Sequence, residues 1–240
     1  MLQEGLASLA SYLLHITPGL VLCALWFLLT PKTQPGLRIL ILLLAFVLVR
    51  DAMTPTGLWS LDGQVCIGFL DNPLVLAALG LMSLGLVALL RPAAPGLWSL
   101  ILWRKGNLPA GLALGLLAGC AIGILLRLYQ GTGFSGFNLW LAGMLLLAYG
   151  GNALEEVLFR GLLQGYLEQH ATPLRAALGS AVAFAACHVF LASTVTQAGW
   201  PVLAFTLVEG LACALVRMRY GVIPAIATHG TAILLIAVPY

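Results

Sequence analysis

Long apolar runs, separated by short polar breaks, make up most of the chain. About 20 consecutive apolar residues are needed for an α-helix to cross the hydrocarbon of a bilayer. Eight such runs are readable, near 9–30, 37–53, 73–91, 108–128, 138–164, 174–195, 200–217 and 222–239. The pattern predicts an all-α, polytopic membrane helix bundle of about eight transmembrane helices. Pro18-Gly19 is expected to kink or break the first, since proline lacks the helical donor and crowds the preceding turn. The longest connection is 52–72, with Asp51, Asp62 and Asp71 along it. Between the third and fourth runs, Pro92-Ala-Ala-Pro95 leads into a Trp-rich piece too short to span. Its aromatic character marks an interfacial segment near 93–105.

Composition sharpens this picture. Of 240 residues, 61% are hydrophobic and only 8% charged, against about 25% charged in soluble domains. The net charge of +3, without a basic or acidic run, gives no footing for nucleic acid. The eight-span model puts Lys32, Arg38, Arg91, Arg104, Lys105, Arg175, Arg217 and Arg219 on one side of the membrane. Only Arg50 and Arg127 fall on the other. The positive-inside rule then places both termini outside. No Lys or Arg opens the chain (Met1-Leu-Gln-Glu4), so a cleaved signal peptide is not expected. Cys23, Cys66, Cys120, Cys187 and Cys213 are scattered without CxxC spacing, which argues against a disulfide framework or a zinc cluster. Gly111-xxx-Gly115-xxx-Gly119 has the spacing of helix packing.

One apolar run breaks its own pattern: Gly150-Gly-Asn152-Ala-Leu-Glu155-Glu156-Val-Leu-Phe-Arg160. An ionisable residue in hydrocarbon costs roughly 2.5–3.5 kcal/mol on insertion scales, so such a cluster is a functional site by default. On a helix, Glu156 and Arg160 share a face at i,i+4, acid first, which is the favourable order. Glu155 points about 100° away, because each helical residue turns by that angle. One acid is neutralised locally and the other is left free; the alternative is a purely structural ion network.

Two histidines lie in later spans: His188, four residues after Phe184, and His229 in the last run. His15 and His170 read as incidental. Polar groups within spans face the bundle interior and seek one another, so Glu155, His188 and His229 are expected to share a cavity. Glu209 is a further acid that could face it or pair with a histidine. A desolvated carboxylate can act as general base toward water, and an imidazole can orient that water or donate to an oxyanion. That equipment suits amide hydrolysis without a covalent intermediate. Zinc binding and a proton relay use the same residue types, but the HExxH helix is absent, and 1–137 holds no second copy of the double-Glu motif, as a repeat-built transporter would.

Glu155-Glu156-x-x-x-Arg160, Phe184-x-x-x-His188 and His229 closely resemble the motifs of the CPBP family. These are the CAAX-processing and bacteriocin-processing intramembrane glutamic endopeptidases. The resemblance covers 138–240 as catalytic-core helices, with 1–137 as N-terminal membrane helices of the same integral domain. It implies cleavage of a membrane-associated protein or peptide near its C-terminus, with no cofactor and no metal. Glu155 would activate the water with help from His188. His229 would stabilise the oxyanion, and Glu156 and Arg160 would hold the shape of the site. The family's third motif reads His-x-x-x-Asn, whereas this chain has Ile233 at the last position. Asn152, Thr228 or Thr231 is expected to replace the missing donor. The departure also leaves room for a non-catalytic immunity or scaffold protein on the same fold. The compact, helix-only chain reads as a prokaryotic inner-membrane protein, which favours sorting-type or peptide substrates over prenylated tails.

Overall fold

The structure is a computed structural model, and it describes residues 2–61, 67–130, 138–196 and 198–237. Asp62 and Cys66 lie outside the described residues. The elements in order are α1 (Leu2–Leu29), α2 (Pro35–Asp51), a hairpin of β1 (Trp59–Leu61) and β2 (Ile67–Phe69), α3 (Pro73–Ala93), α4 (Pro95–Trp98) and α5 (Leu108–Gln130). There follow α6 (Leu139–Glu156), continued by a π-helical stretch (Val157–Leu163) and α7 (Gln164–Leu167), then α8 (Pro173–Ala186) and a π-helical turn (Leu191–Val195). The bundle closes with α9 (Trp200–Tyr220) and α10 (Val222–Ala237).

The protein is an all-α, multi-pass membrane bundle. Among the described residues, five helices are long and apolar enough to cross a membrane: Gln3–Leu29, Pro73–Ala93, Leu108–Leu128, Pro173–Val195 and Trp200–Tyr220. The other three runs of the eight also fold as helices, α2, α6 and α10, of 17, 18 and 16 residues. Helix starts follow local chemistry. Asn72 accepts from the backbone of Leu74 and Val75 ahead of Pro73, and Asn138 caps α6 through Leu141.

Three expectations need amendment. Helix α1 runs through Pro18 without a break. The carbonyl that Pro18 leaves without its helical donor is that of Leu14; beside it, the hydroxyl of Thr17 donates to the Leu13 carbonyl at 2.6 Å. The connection 52–72 is not all loop, because Trp59 pairs with Phe69 and Leu61 with Ile67 in an antiparallel hairpin. Finally, the Trp-rich segment is clamped into the protein. Lys105 N donates to Tyr220 O, and Val222 N to Leu102 O, each at 2.8 Å. Gly221, at φ +96°, makes this possible, since a Cβ there would lie 2.6 Å from the Arg104 Cα. Leu97 and Ile101 are buried beside Phe159 and Leu162.

Glycine contacts set the crossings, as the spacing predicted. A Cβ on Gly115 or Gly119 would meet the carbonyl of Pro224 or Thr228, so α5 lies backbone-close on α10. Gly80 and Gly150 do the same where α3 crosses α6. Two apolar clusters result. One gathers Ile39, Ile41, Phe46, Phe159 and Phe184 around the π-helical stretch; the other gathers Tyr12, Ile16, Leu76, Met144 and Leu147. A cavity of about 460 Å³ borders both.

Candidate active site

The Glu-Glu-Arg motif falls where α6 turns into its π-helical stretch. Such π insertions recur at functional sites because they re-aim side chains within a continuous helix. Glu156 is fully buried, and its Oε1 takes Arg160 Nη1 at 2.9 Å and His229 Nδ1 at 2.8 Å. Arg160 also donates through Nη2 to the Gly210 carbonyl at 2.9 Å and lies 4.3 Å over the Phe184 ring. Phe184, fully buried, sits edge-on to His229 with ring centres 5.6 Å apart and tilted against His188 at 4.5 Å. The two acids thus divide as helix geometry required, with Glu156 tied into the core of the bundle.

Glu155 is half-buried and lines the cavity together with Asn152, His188, Glu209 and His229. Among the described residues, none hydrogen-bonds or ion-pairs with its carboxylate. His188 lies just beyond α8, and its Nδ1 donates to the Phe184 carbonyl at 2.7 Å. A carbonyl can only accept, so the neutral ring keeps its lone pair on Nε2. His229 faces carboxylates at both nitrogens, since its Nε2 lies 3.5 Å from Glu209 Oε2. All three residues expected to share a cavity do share one, and Glu209 joins them.

Of the three candidate substitutes for the missing donor, only Asn152 borders the cavity. Thr228 donates to the Pro224 carbonyl, and Thr231 pairs with Tyr149 at 2.9 Å. Neither lines the cavity, whereas Ile233 does. Asn152 lines it too, with its Nδ2 donating to the Ala148 carbonyl at 2.7 Å. His15 and His170 are exposed and stand apart from the site.

The structure adds two side chains to the site. Arg50 reads in sequence as a loop charge, yet it is buried at the cavity wall. Cys213 has no CxxC partner in the sequence, but ligand atoms of Glu156, Cys213 and His229 lie within 4.8 Å of one another, close enough to hold a metal ion. A cation there would meet Arg160, which already holds the shared Glu156 oxygen; like charges at such range repel.

A membrane helix bundle with carboxylates and histidines on one internal cavity has the groups that water-activating chemistry needs. Residues 136–235 match the family described as Rce1-like, type II CAAX prenyl endopeptidase Rce1-like, and this is the stretch that carries the three motifs. The match agrees with the resemblance read from the motifs and supports an intramembrane endopeptidase in general. No curated protein and no solved structure matches the chain.

Proposed function

We propose that this chain is a glutamate-type intramembrane endopeptidase that cuts membrane-associated proteins or peptides near their C-termini. The observation that carries the reading is the split between the acids: Glu156 is neutralised by Arg160 and His229, while Glu155 faces the cavity beside His188. Glu155 takes a proton from a water held between it and His188 Nε2, and the water oxygen attacks the amide carbon. His229, fixed through Nδ1 by Glu156, offers Nε2–H to the oxygen that becomes negative. Glu155 then returns the proton to the leaving nitrogen, the C–N bond breaks, and a carboxyl and an amine result. Arg160, Phe184 and Asn152 support these positions. The scheme needs no metal and no cofactor.

The cavity's mouth supports delivery from the bilayer. Leu13 of α1 and Met82, Leu86 and Leu89 of α3 line the cavity and are also exposed on the bundle's flank. The remaining wall is largely leucine, methionine and aromatic residues, suited to a lipid chain or an apolar segment. The matched family is described by prenyl substrates, which brings prenylated CAAX tails forward as the first to test, ahead of the C-terminal sorting anchors and bacteriocin-like peptides that the sequence alone favours. We place the chain in a prokaryotic inner membrane with both termini outside, as the Lys/Arg tally favours.

The test is a mass-spectrometric survey of C-terminal peptides from membrane proteins of the native host. Cells making the wild type are compared with cells making Glu155→Gln at equal level. New C-termini found only with the wild type are the expected result, and they name the substrate. Identical peptide sets, with the variant rescuing a deletion, would favour the immunity or scaffold role.

A further inference from the structure

The cavity is long as well as apolar. Along α6 it is lined by Met144, Leu147, Ala148, Gly151, Asn152 and Glu155, the three- and four-residue spacing of one helix face. That face runs about 16 Å from Glu155 to Met144, at about 1.5 Å per residue. Helices α3 and α6 start at the same end and lie side by side: a Cβ on Gly143 would meet Pro73, and one on Gly150 would meet Gly80. The same offset sets Gly85 level with Glu155, and Met82, Leu86 and Leu89 around it are exposed on the bundle's flank. Toward the start of α6 the cavity is shut off from that flank, since Tyr12, Leu79 and Met144 are each at most 5% exposed. It is open beside Glu155 and blind at the other end.

The hairpin closes the blind end. Trp59, Leu61, Ile67 and Phe69 line the cavity, whereas Ser60 and Gly68 between them are exposed and do not. The hairpin thus turns a side-chain face to the space rather than a hydrogen-bonding edge. Trp59 and Phe69 pair across the strands with ring centres 6.3 Å apart. The Trp140 indole pins the hairpin to the first turn of α6 by donating to the Leu70 carbonyl at 3.1 Å.

This end offers a peptide backbone little. The hydroxyls of Tyr12, Thr17 and Ser83 already donate to the carbonyls of Val49, Leu13 and Leu79, and the backbone groups of membrane helices are bonded within their own helices. A hydrocarbon chain needs no such partner. We propose that the hairpin is a length stop for an apolar chain that the substrate carries beside its scissile amide. The amide lies at Glu155, and the chain runs along α6 to end against Trp59 and Phe69. This rests on the hydrolase reading above and says which substrates that site takes. A carbon chain advances about 1.25 Å per bond, from bonds of about 1.52 Å at about 111°. A main chain of about twelve carbons therefore fills the length to Met144, and one of about sixteen overruns it by about 5 Å into the hairpin. The surrounding lipid is as apolar as the cavity, so fit decides: a short chain leaves a void, and a long one strains the wall.

The probes are quenched peptides with a cysteine near the C-terminus that is bare or carries S-geranyl, S-farnesyl or S-geranylgeranyl. Linear S-dodecyl and S-hexadecyl counterparts show whether prenyl or acyl-like chains fit better at a given length. Binding, by displacement of a fluorescent S-farnesyl peptide, and kcat/KM are read in nanodiscs with peptide counted per lipid. In the wild type, the twelve-carbon chains are expected to bind best and the sixteen-carbon chains about tenfold more weakly, the order that overpacking costs. Trp59→Ala is expected to shift the ratio between the two about tenfold toward the longer chain. Ser60→Ala, on the hairpin's other face, should leave it as in the wild type. If Trp59→Ala fails to fold, Leu61→Phe serves: it shortens the space and should move the preference from farnesyl toward geranyl. Weakening of all lengths alike by Trp59→Ala, or a wild type that ignores chain length or takes the bare peptide equally well, overturns the proposal. A clear length profile in binding, with no peptide cut, overturns the hydrolase reading alone.

Discussion

The two halves of the chain solve different problems with the same apolar alphabet. In the N-terminal half, the spans Gln3–Leu29, Pro73–Ala93 and Leu108–Leu128 bury only 17–28% of their most apolar windows within the protein. In the C-terminal half, Pro173–Val195 and Trp200–Tyr220 bury 44%. Lipid is as good a partner for leucine as another leucine, so the outer helices need few protein contacts. The inner helices cannot give theirs up, because the buried Glu156, Arg160, Glu209 and His229 satisfy one another across them. The outer half is a lipid-facing wall that contributes apolar lining and one cation, Arg50. The inner half is a polar lattice that holds the chemistry in place.

The sharpest way to break this contrast is at the carboxylates. Glu155→Gln should cut activity by about 10³-fold, within the range for a lost general base, and leave thermal unfolding near wild type, since its side chain holds nothing together. Glu156→Gln should do the reverse in kind: removing one member of a buried ion cluster costs about 3–5 kcal/mol, read as a lower unfolding midpoint in micelles. Arg160→Met should match it, and the double variant should recover part of the loss, a coupling measurable as a double-mutant cycle. Packing gives the next effect. Gly119→Val drives a side chain into the Thr228 backbone and should cost about 1–3 kcal/mol as overpacking. Gly85→Ala, with open space around its Cα, should change little. Smallest of all is Leu14→Ala on the exposed face of α1, expected within about 0.5 kcal/mol of wild type.

Much of the inner half was legible in the sequence because charges in hydrocarbon have few explanations. Glu155 and Glu156 could be told apart from helical rotation alone, and the histidines had nowhere else to go. The outer half was less legible. Apolar runs show where helices lie, but lipid-facing and protein-facing leucines read alike, so the mouth between α1 and α3 left no signal. Arg50 was hidden by its position: at the end of a run it reads as a topological charge, and only the fold shows that it reaches the end of α8. The clamp on the Trp-rich segment depends on Gly221, whose positive φ and missing side chain matter only once Arg104 lies against it. The hairpin at 59–69 is short, and its strands of three residues carry too little alternation to stand out from a loop.

The central claim is that adjacent carboxylates do different work, Glu155 on water and Glu156 on structure. Its most direct test is cleavage of the farnesylated peptide by purified wild type, Glu155→Gln and Glu156→Gln in nanodiscs, with a chelator present and unfolding midpoints recorded alongside. The expected result is a wild type active despite the chelator and a Glu155→Gln that is folded as wild type yet inactive. Glu156→Gln should be recognisable by its lowered midpoint. Wild-type cleavage by Glu155→Gln, or activity in all three that vanishes with chelator, would contradict the account.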